Sequence, residues 1–363
     1  MKILVIHASA GAGHFKAAEA IFQGLKKYTP HEVFLIDALD LTSPGFKKMY
    51  GGGYQFLVTK LAFIWKLFFG LLNIFFLQPI IAFFRRLYNA INTRPLHAYL
   101  IKENFDCIIS TQFLSTEVAA ALKRKGKIRS RLITVVTDYD VHRIWLQREV
   151  DHYAVACDYT EKKMRQLGVD EKRVHVTGIP TDAKFLGPHD VQRIKENLGL
   201  DKEAFTVLIA TGSFGIGPIK EIVQALEDDF QVLAVCGHNK KLCNELSQEK
   251  KRLVKVFGLV NNMPELMAVA DAMVTKPGGL SISEALVSQL PLIFFNPIPG
   301  QEEGNIRVLK AHGIGDAPKT IDGIVQRLRE LKSNPAEYRN VAKNTKNLAR
   351  PNAVQDIISL ITI

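Results

Sequence analysis

The chain has 363 residues, 47% of them hydrophobic and 23% charged, which is length for about two domains and excludes a disordered chain. Its net charge of +11 is one-sided: residues 1–150 hold 20 Lys/Arg against 10 Asp/Glu, while the remainder is close to neutral, and such asymmetry points to an anionic partner, either nucleic acid or an anionic membrane surface. The four cysteines (Cys107, Cys157, Cys236 and Cys243) form no CxxC pair or zinc-type cluster, which argues against a disulfide framework or a metal site and for reduced thiols packed in strands.

Met1 runs directly into an apolar strand, KILVIHA, with no secretory signal, so the soluble part of the protein is expected in the cytosol. The strand ends in His7-Ala8-Ser9-Ala10-Gly11-Ala12-Gly13-His14, a glycine-rich turn in which the G-x-G-x-x-G dinucleotide spacing is incomplete. A helix is predicted from about His14 to Tyr28, followed by the strand EVFLID. His14 then stands at a helix start, where the dipole disfavours imidazolium and keeps the ring neutral, the form a general base needs. An ordinary N-terminal helix residue is the competing reading. Further along come the strand DCIIST, a helix near Thr116–Lys125, and the strands RLITVVTD, HYAVAC and RVHVTGIP. Asp138, His142 and Trp145 follow the strand end in VVTDYDVHRIWL; Asp138 either orients His14, contacts an acceptor or is a plain loop carboxylate, and His152 and Cys157 read as structural. Short apolar strands alternating with helices predict a parallel sheet covered on both faces.

Residues 51–88 break this rhythm. Eighteen residues without charge lie between Lys66 and Arg85, the minimum for a transmembrane helix. A single span is disfavoured, because the strands before and after it look like parts of one sheet and because Asn73, Gln78 and Pro79 interrupt it. With Trp65 and Tyr88 as interfacial aromatics and Lys60, Lys66, Arg85 and Arg86 as basic flanks, the segment reads as one that lies in a single leaflet. A buried core helix and an oligomer interface are the alternatives.

The second half repeats the α/β pattern with the strands AFTVLIATG, QVLAVCG, LVKVFGLV, DAMVTK and LPLIFFNPIP, beyond a boundary in the polar stretch Thr181–Asp201. Two such units leave a cleft between the carboxyl ends of their strands. Four polar loops follow strand ends here. Gly212 and Ser213 lie in ATGSFG. Phe257 and Val260 lie in FGLV, whose backbone suits the edge of a base. In TKPGGLSISE, Lys276 and the Gly278–Gly279 turn precede a helix expected to begin near Ser281, with Glu284 about one turn in. Glycines admit close backbone approach and a helix start favours phosphate, so this turn suits a diphosphate and Glu284 suits ribose hydroxyls. A plain turn with a Ser281–Glu284 capping box is the alternative. Gln301, Glu302 and Asn305 in PGQEEGN offer donors and acceptors for sugar hydroxyls. The final residues, from about Pro351, predict another helix with an apolar tail that needs a surface to cover.

Taken together, GAGHFKAAEAI, VVTDYDVHRIW, VTGIPTDAKF, GLVNNMPELMAVADAMVTKPGGLSISEAL and PIPGQEEGN resemble the monogalactosyldiacylglycerol synthase and processive diacylglycerol glucosyltransferase group of glycosyltransferase family 28, over nearly the whole chain. The resemblance implies a GT-B fold, two Rossmann-like α/β domains facing each other across a cleft. Residues 1–185 would be the lipid-acceptor and membrane domain, 200–349 the UDP-sugar domain and 350–363 a C-terminal helix. It implies inverting transfer of a hexose from a UDP-sugar to a membrane lipid, foremost diacylglycerol, without bound metal or further cofactor, at the cytoplasmic face of a membrane as a peripheral or monotopic protein. By motif position, His14 would be the general base; Asp138, from its place after the strand end, is assigned with it as catalytic. Gly212, Ser213, Phe257, Val260, Lys276, Gly278, Gly279, Ser281, Glu284, Gln301, Glu302 and Asn305 would bind the donor. Gly11, Gly13, Trp65, Lys66, Arg85, Arg86, His142 and Trp145 would serve the acceptor or the membrane. Ala12 stands where many relatives have glycine, and fits if its φ is negative. A lipid-II-forming N-acetylglucosaminyltransferase and a non-catalytic nucleotide-sugar-binding regulator remain as alternatives. A nucleic-acid-binding protein would explain the charge but not the apolar segment, and a nicotinamide oxidoreductase lacks its fingerprint.

Overall fold

The computed structural model describes residues 1–9, 11–53, 78–249, 251–298 and 300–362. The chain forms two compact units. The first comprises Met1–Asp182, the short stretch Ile298–Gly304 and the chain from Arg350 on; the second comprises Ala183–Pro297 and Asn305–Ala349.

The first unit is built on a six-stranded sheet: β1 (Lys2–His7), β2 (Glu32–Asp37), β3 (Cys107–Ser110), β4 (Arg131–Val135), β5 (His152–Val155) and β6 (Val174–Val176). Its spatial order is β2-β1-β3-β4-β5-β6, and every neighbouring pair is parallel. The strands are apolar on both faces because both are covered. Leu4 and Ile6 of β1 join one core with Ile108, Leu132 and Trp145, and Ile3 and Val5 join the other with Ile109, Ile133 and Ala154. Chain reversal falls between β1 and β3: β2 lies on one side of β1, and all later strands lie on the other.

Three helices matter to the site in this unit. Helix α1 (Ala12–Tyr28) follows β1 after an N-cap Gly11 at φ 128°, a conformation that favours glycine. Ala12 opens the helix and is not among the residues with positive φ, as a side chain there requires. Helix α2 (Gln78–Asn92) precedes β3, and helix α3 (Phe113–Arg124) follows it. The second unit carries β7 (Thr206–Ala210), β8 (Gln231–Val235), β9 (Val254–Phe257), β10 (Ala272–Thr275) and β11 (Leu292–Phe294) in the parallel order β11-β10-β7-β8-β9. Here the reversal falls between β7 and β10. Helix α4 (Gly279–Val287) follows β10, and helix α5 (Gln301–Ala311) follows β11.

The chain closes with α6 (Ala353–Ser359), which returns to the first unit. Its apolar tail finds the surface it needs: Ile357, Leu360 and Ile361 are buried against Ile3, Val5, Ile21 and Leu25. Gly24 of α1 permits this approach, since a Cβ there would stand 2.2 Å from Val354. The Arg131 guanidinium donates to the carbonyls of Leu360 (3.2 Å) and Ile361 (2.9 Å), satisfying groups a helix end leaves open. Ile357→Ala should therefore cost about 2–5 kcal/mol, as buried Ile truncations do. It should show as a lower urea midpoint with an unchanged slope; an unchanged midpoint would mean that α6 does not complete this core.

Candidate active site

In an open parallel sheet, ligands gather at the carboxyl ends of the strands where chain order reverses. In the first unit that place holds the end of β1, the start of α1 and the residues after β3. His14 is the third residue of α1. Its Nδ1 lies 2.8 Å from the Thr111 carbonyl, just past β3, and 3.0 Å from the Thr137 hydroxyl, past β4. A carbonyl only accepts, so Nδ1 carries the proton and Nε2 is the basic nitrogen. In return the Thr111 hydroxyl donates to the His14 carbonyl at 2.9 Å. Trp145 packs on the His14 ring at 6.2 Å between centroids and edge-on to Phe113 at 5.9 Å.

Burial lowers the His14 pKa to about 4; the bond to Thr111 opposes that shift, and nearby His7 adds to it. The ring is thus neutral at pH 7, as its place on a helix start predicts, but the main cause is desolvation rather than the dipole. His7, at the end of β1, is buried edge-on to Phe15 with its Nδ1 lacking a hydrogen-bond partner, and burial lowers its pKa as well. Asp138 is buried, one residue beyond Thr137. The groups on His14 Nδ1 are two threonines, which sequence reasoning passed over. Their signal was position alone: Thr111 comes one residue and Thr137 two residues after a strand end. Gly13 lies inside α1. His142 accepts from the Ile144 amide through Nδ1 at 3.1 Å and caps a short 3-10 turn. Trp145 is 2% exposed, so its place is in the core behind His14 rather than at a lipid surface.

The apolar segment is moored at both described ends. The turn Met49–Gly53 is tied to the β3 end, where Gln112 Nε2 donates to the Tyr50 hydroxyl at 2.8 Å. Ser43 bonds the Asn92 side chain at 2.8 Å, and Phe46 packs on both Tyr50 and Tyr88. The described residues before and after the apolar stretch, 43–50 and 88–92, are therefore held together in this unit. Trp65 and Lys66 lie outside the described residues. Arg85 corrects its expected role as a headgroup anchor. Its guanidinium pairs with the buried Glu117 carboxylate at 2.5 Å, and Asn89 donates to the same carboxylate at 2.8 Å. A buried carboxylate is costly unless paired, and Arg85 is its partner. Arg86 is exposed, 3.3 Å from the Gln147 side-chain oxygen. Over residues 83–92 helix α2 is thus inverted: Arg85 and Asn89 face the protein, while Phe83 and Phe84 (62% each), Leu87, Tyr88 and Ile91 (54%) face outward beside Arg86. Among the described residues no helix is long and apolar enough to cross a membrane.

In the second unit the loops after β7 and β10 are neighbours, since Thr275 pairs with Ala210 and donates to its carbonyl at 2.6 Å. Thr211 comes next, 6% exposed, its hydroxyl buried without a hydrogen-bond partner. Gly212 (φ 80°) and Ser213 form the turn. Gly215 (φ 58°) and Gly237 (φ 57°) lock it against the end of β8, where a Cβ would meet the Cys236 and Ser213 carbonyl oxygens at 2.0 and 2.3 Å. Phe257, at the end of β9, gives its carbonyl to the Cys236 amide at 2.8 Å, and Val260 is half-buried in the following loop.

Helix α4 begins at Gly279, two residues before its expected start. Its N-cap is Gly278 and no side chain caps it, which excludes the Ser281–Glu284 capping box. Its opening amides, up to Ser281, precede the first intrahelical bond, Ile282 to Gly278, and Glu284 is half-buried further in. Lys276 is half-buried just before the turn. Asn305, fully buried, donates to the Pro277 carbonyl at 3.0 Å and so fixes the turn that opens α4. In the stretch Ile298–Gly304, which belongs to the first unit, Gln301 opens α5 and Glu302 accepts from the Ile298 amide at 2.6 Å. The second unit thus offers an uncapped helix start beside a glycine turn, the arrangement that receives phosphate.

Two family models cover most of the chain. Residues 14–181 match monogalactosyldiacylglycerol (MGDG) synthase, and residues 206–357 match the glycosyltransferase family 28 C-terminal domain. The chain belongs to glycosyltransferase family 28. It is 29% identical to a processive diacylglycerol beta-glucosyltransferase of Bacillus cereus, over 99% of this chain and 93% of that protein. Two solved structures resemble this family 28 enzyme in fold. They are MurG of Acinetobacter baumannii (TM-score 0.59, 15% identity, 99% of each chain) and Anabaena Alr3699/HepE in complex with UDP-glucose (TM-score 0.58, 16% identity, 100% of this chain and 99% of that one). The α/β architecture is therefore GT-B, and the protein is a glycosyltransferase.

The depressed His14 pKa has a measurable consequence. Between pH 6.5 and about 4 the folded ring binds fewer protons than the unfolded one. Its contribution to stability is complete above 6.5 and is lost as pH falls toward 4. Between pH 7 and pH 5 the wild type should lose about 2 kcal/mol more than His14→Gln, somewhat less because the ring is only partly buried. Urea midpoints at the two pH values would test this; equal losses would refute a buried neutral His14.

Proposed function

We propose that this family 28 enzyme transfers a hexose from a UDP-sugar to a membrane lipid, with diacylglycerol the foremost acceptor, inverting the anomeric carbon. Nε2 of His14 takes the proton of the acceptor hydroxyl, whose oxygen attacks the anomeric carbon. The bond from that carbon to the phosphate oxygen breaks, and UDP leaves with the electron pair. Backbone amides at the start of α4 and the Gly212–Ser213 turn meet the charge that develops on the diphosphate. Glu284 takes the ribose hydroxyls, and the α5 start takes the sugar. The donor reading is supported by the uncapped α4 and the buried Thr211 hydroxyl. The lipid reading is supported by likeness, over nearly the full length of both chains, to the B. cereus processive diacylglycerol beta-glucosyltransferase.

The single observation that carries the acceptor is the inversion of α2. An interfacial helix buries its apolar face in the headgroup boundary, and an outward row of Phe83, Phe84, Leu87, Tyr88 and Ile91 fits that role. The cationic excess of the first 150 residues would add attraction to anionic lipid on the cytoplasmic side. A second reading, transfer of N-acetylglucosamine to a lipid-linked acceptor, has only the fold-level likeness to MurG in its favour.

UDP release from a panel of UDP-sugars, with and without diacylglycerol in anionic vesicles, should require one sugar and the lipid together. Binding of a UDP-sugar without turnover on diacylglycerol would reject that acceptor and leave the donor site standing. His14→Ala should abolish transfer and retain UDP binding; loss of UDP binding would remove His14 from the role of base. Phe84→Asp combined with Leu87→Asp should weaken vesicle flotation about tenfold or more while sparing transfer to a soluble short-chain acceptor. Unchanged flotation would place the membrane contact elsewhere.

A further inference from the structure

A histidine that acts as a base is commonly oriented by a third group, most familiarly a carboxylate. Here the groups within hydrogen-bond distance of His14 Nδ1 are the Thr111 carbonyl at 2.8 Å and the Thr137 hydroxyl at 3.0 Å. They come from two different strand ends, 97 and 123 residues away. The Thr111 side chain closes the loop by donating to the His14 carbonyl at 2.9 Å. Thr111 is fully buried and Thr137 nearly so, which fixes both on the rigid sheet. We propose that Thr137, with Thr111, is a positioning residue for the transfer reaction: a neutral clasp that holds the proton on Nδ1, aims Nε2 and steadies the imidazolium when Nε2 takes the acceptor's proton. This inference rests on the reading of His14 as the base.

The clasp works through dipoles. The Thr111 carbonyl selects the tautomer, because it accepts only a proton on Nδ1. The Thr137 oxygen accepts a share of the same N–H, and that share strengthens once the ring is charged. A neutral partner stabilises imidazolium far less than a carboxylate would, so the base stays unprotonated across the neutral range and is ready without a prior proton loss. Titratable groups on the surrounding elements include His7 at the end of β1, Asp37 at the end of β2, Asp138, Asp140 and His142 after β4, and Glu117 of α3, which is paired with Arg85; Phe113 and Trp145 do not titrate. Of these, His7 acts on His14 and disfavours its charged form.

Four variants test the clasp: Thr137→Val, Thr137→Ser, Thr137→Asp and His14→Ala. With UDP-sugar and diacylglycerol in vesicles, Thr137→Val should lower kcat about tenfold or more with both KM values within about twofold, since general-base contributions run to about 10²–10⁴. Thr137→Ser, which keeps the oxygen, should recover most of the rate. Thr137→Asp sets a carboxylate beside the ring and should move the acidic limb of kcat/KM upward by about 1 pH unit or more. A Thr137→Val enzyme with full kcat would overturn the proposal. So would a Thr137→Ser enzyme as slow as the valine variant, because packing and not the hydroxyl would then matter. An acidic limb unmoved in Thr137→Asp would do the same. Failure of the underlying reading is distinguishable: in that case His14→Ala itself would retain transfer. Thermal midpoints of all four, together with UDP binding, separate misfolding from a catalytic effect.

Discussion

The constraint on which the structure depends is the reversal of strand order in each parallel sheet. A parallel strand cannot return beside its predecessor without a crossover, and when crossovers leave in opposite directions the loops at the reversal part. In the first unit the parting lies between β1 and β3, and there His14 meets Thr111. In the second it lies between β7 and β10, where Thr211, Gly212 and the uncapped start of α4 come together. Neither group needs a special fold element. Each uses side chains or amides that a reversal leaves without competition from neighbouring loops.

Much of this was legible in the sequence, because strand ends are. Apolar runs such as KILVIHA and TVLIA stop abruptly, and the loops just beyond such runs are where α/β proteins keep their chemistry. The strands, α1 and the glycine turns could be placed that way. What the sequence did not disclose was pairing across distance. Thr111 and Thr137 look ordinary in STQ and VVTD until β1, β3 and β4 lie side by side. Ser281 and Glu284 have capping-box spacing, yet the helix starts at Gly279 with Gly278 as its N-cap, which puts Ser281 inside the first turn. Arg85 looked like a membrane anchor because its partner, Glu117, sits 32 residues on in another helix. Asn305 looked like a sugar ligand, and its amide instead holds the Pro277 carbonyl.

The Arg85–Glu117 pair explains how one helix can be both anchored and inverted. A surface helix normally turns its apolar face inward and is held by burial. Helix α2 forgoes this. Its inward face is held by a charge-assisted bond from Arg85 and an amide bond from Asn89, both to one buried carboxylate. Exposing side chains such as Phe83, Leu87 and Ile91 to water forfeits about 1.5–3 kcal/mol for each that could have been buried. A polar anchor of this kind is weaker than burial as a source of stability, since desolvation offsets much of its Coulombic gain. It has a property burial lacks: it is directional, and it fixes which face points out. Tyr88 of the same helix packs on Phe46, Phe46 packs on Tyr50, and Tyr50 is tied to Gln112, the residue after Thr111. The helix and the base therefore share one support, the carboxyl end of β3. A lipid that met the outward face would then be met by a part of the molecule already in register with His14.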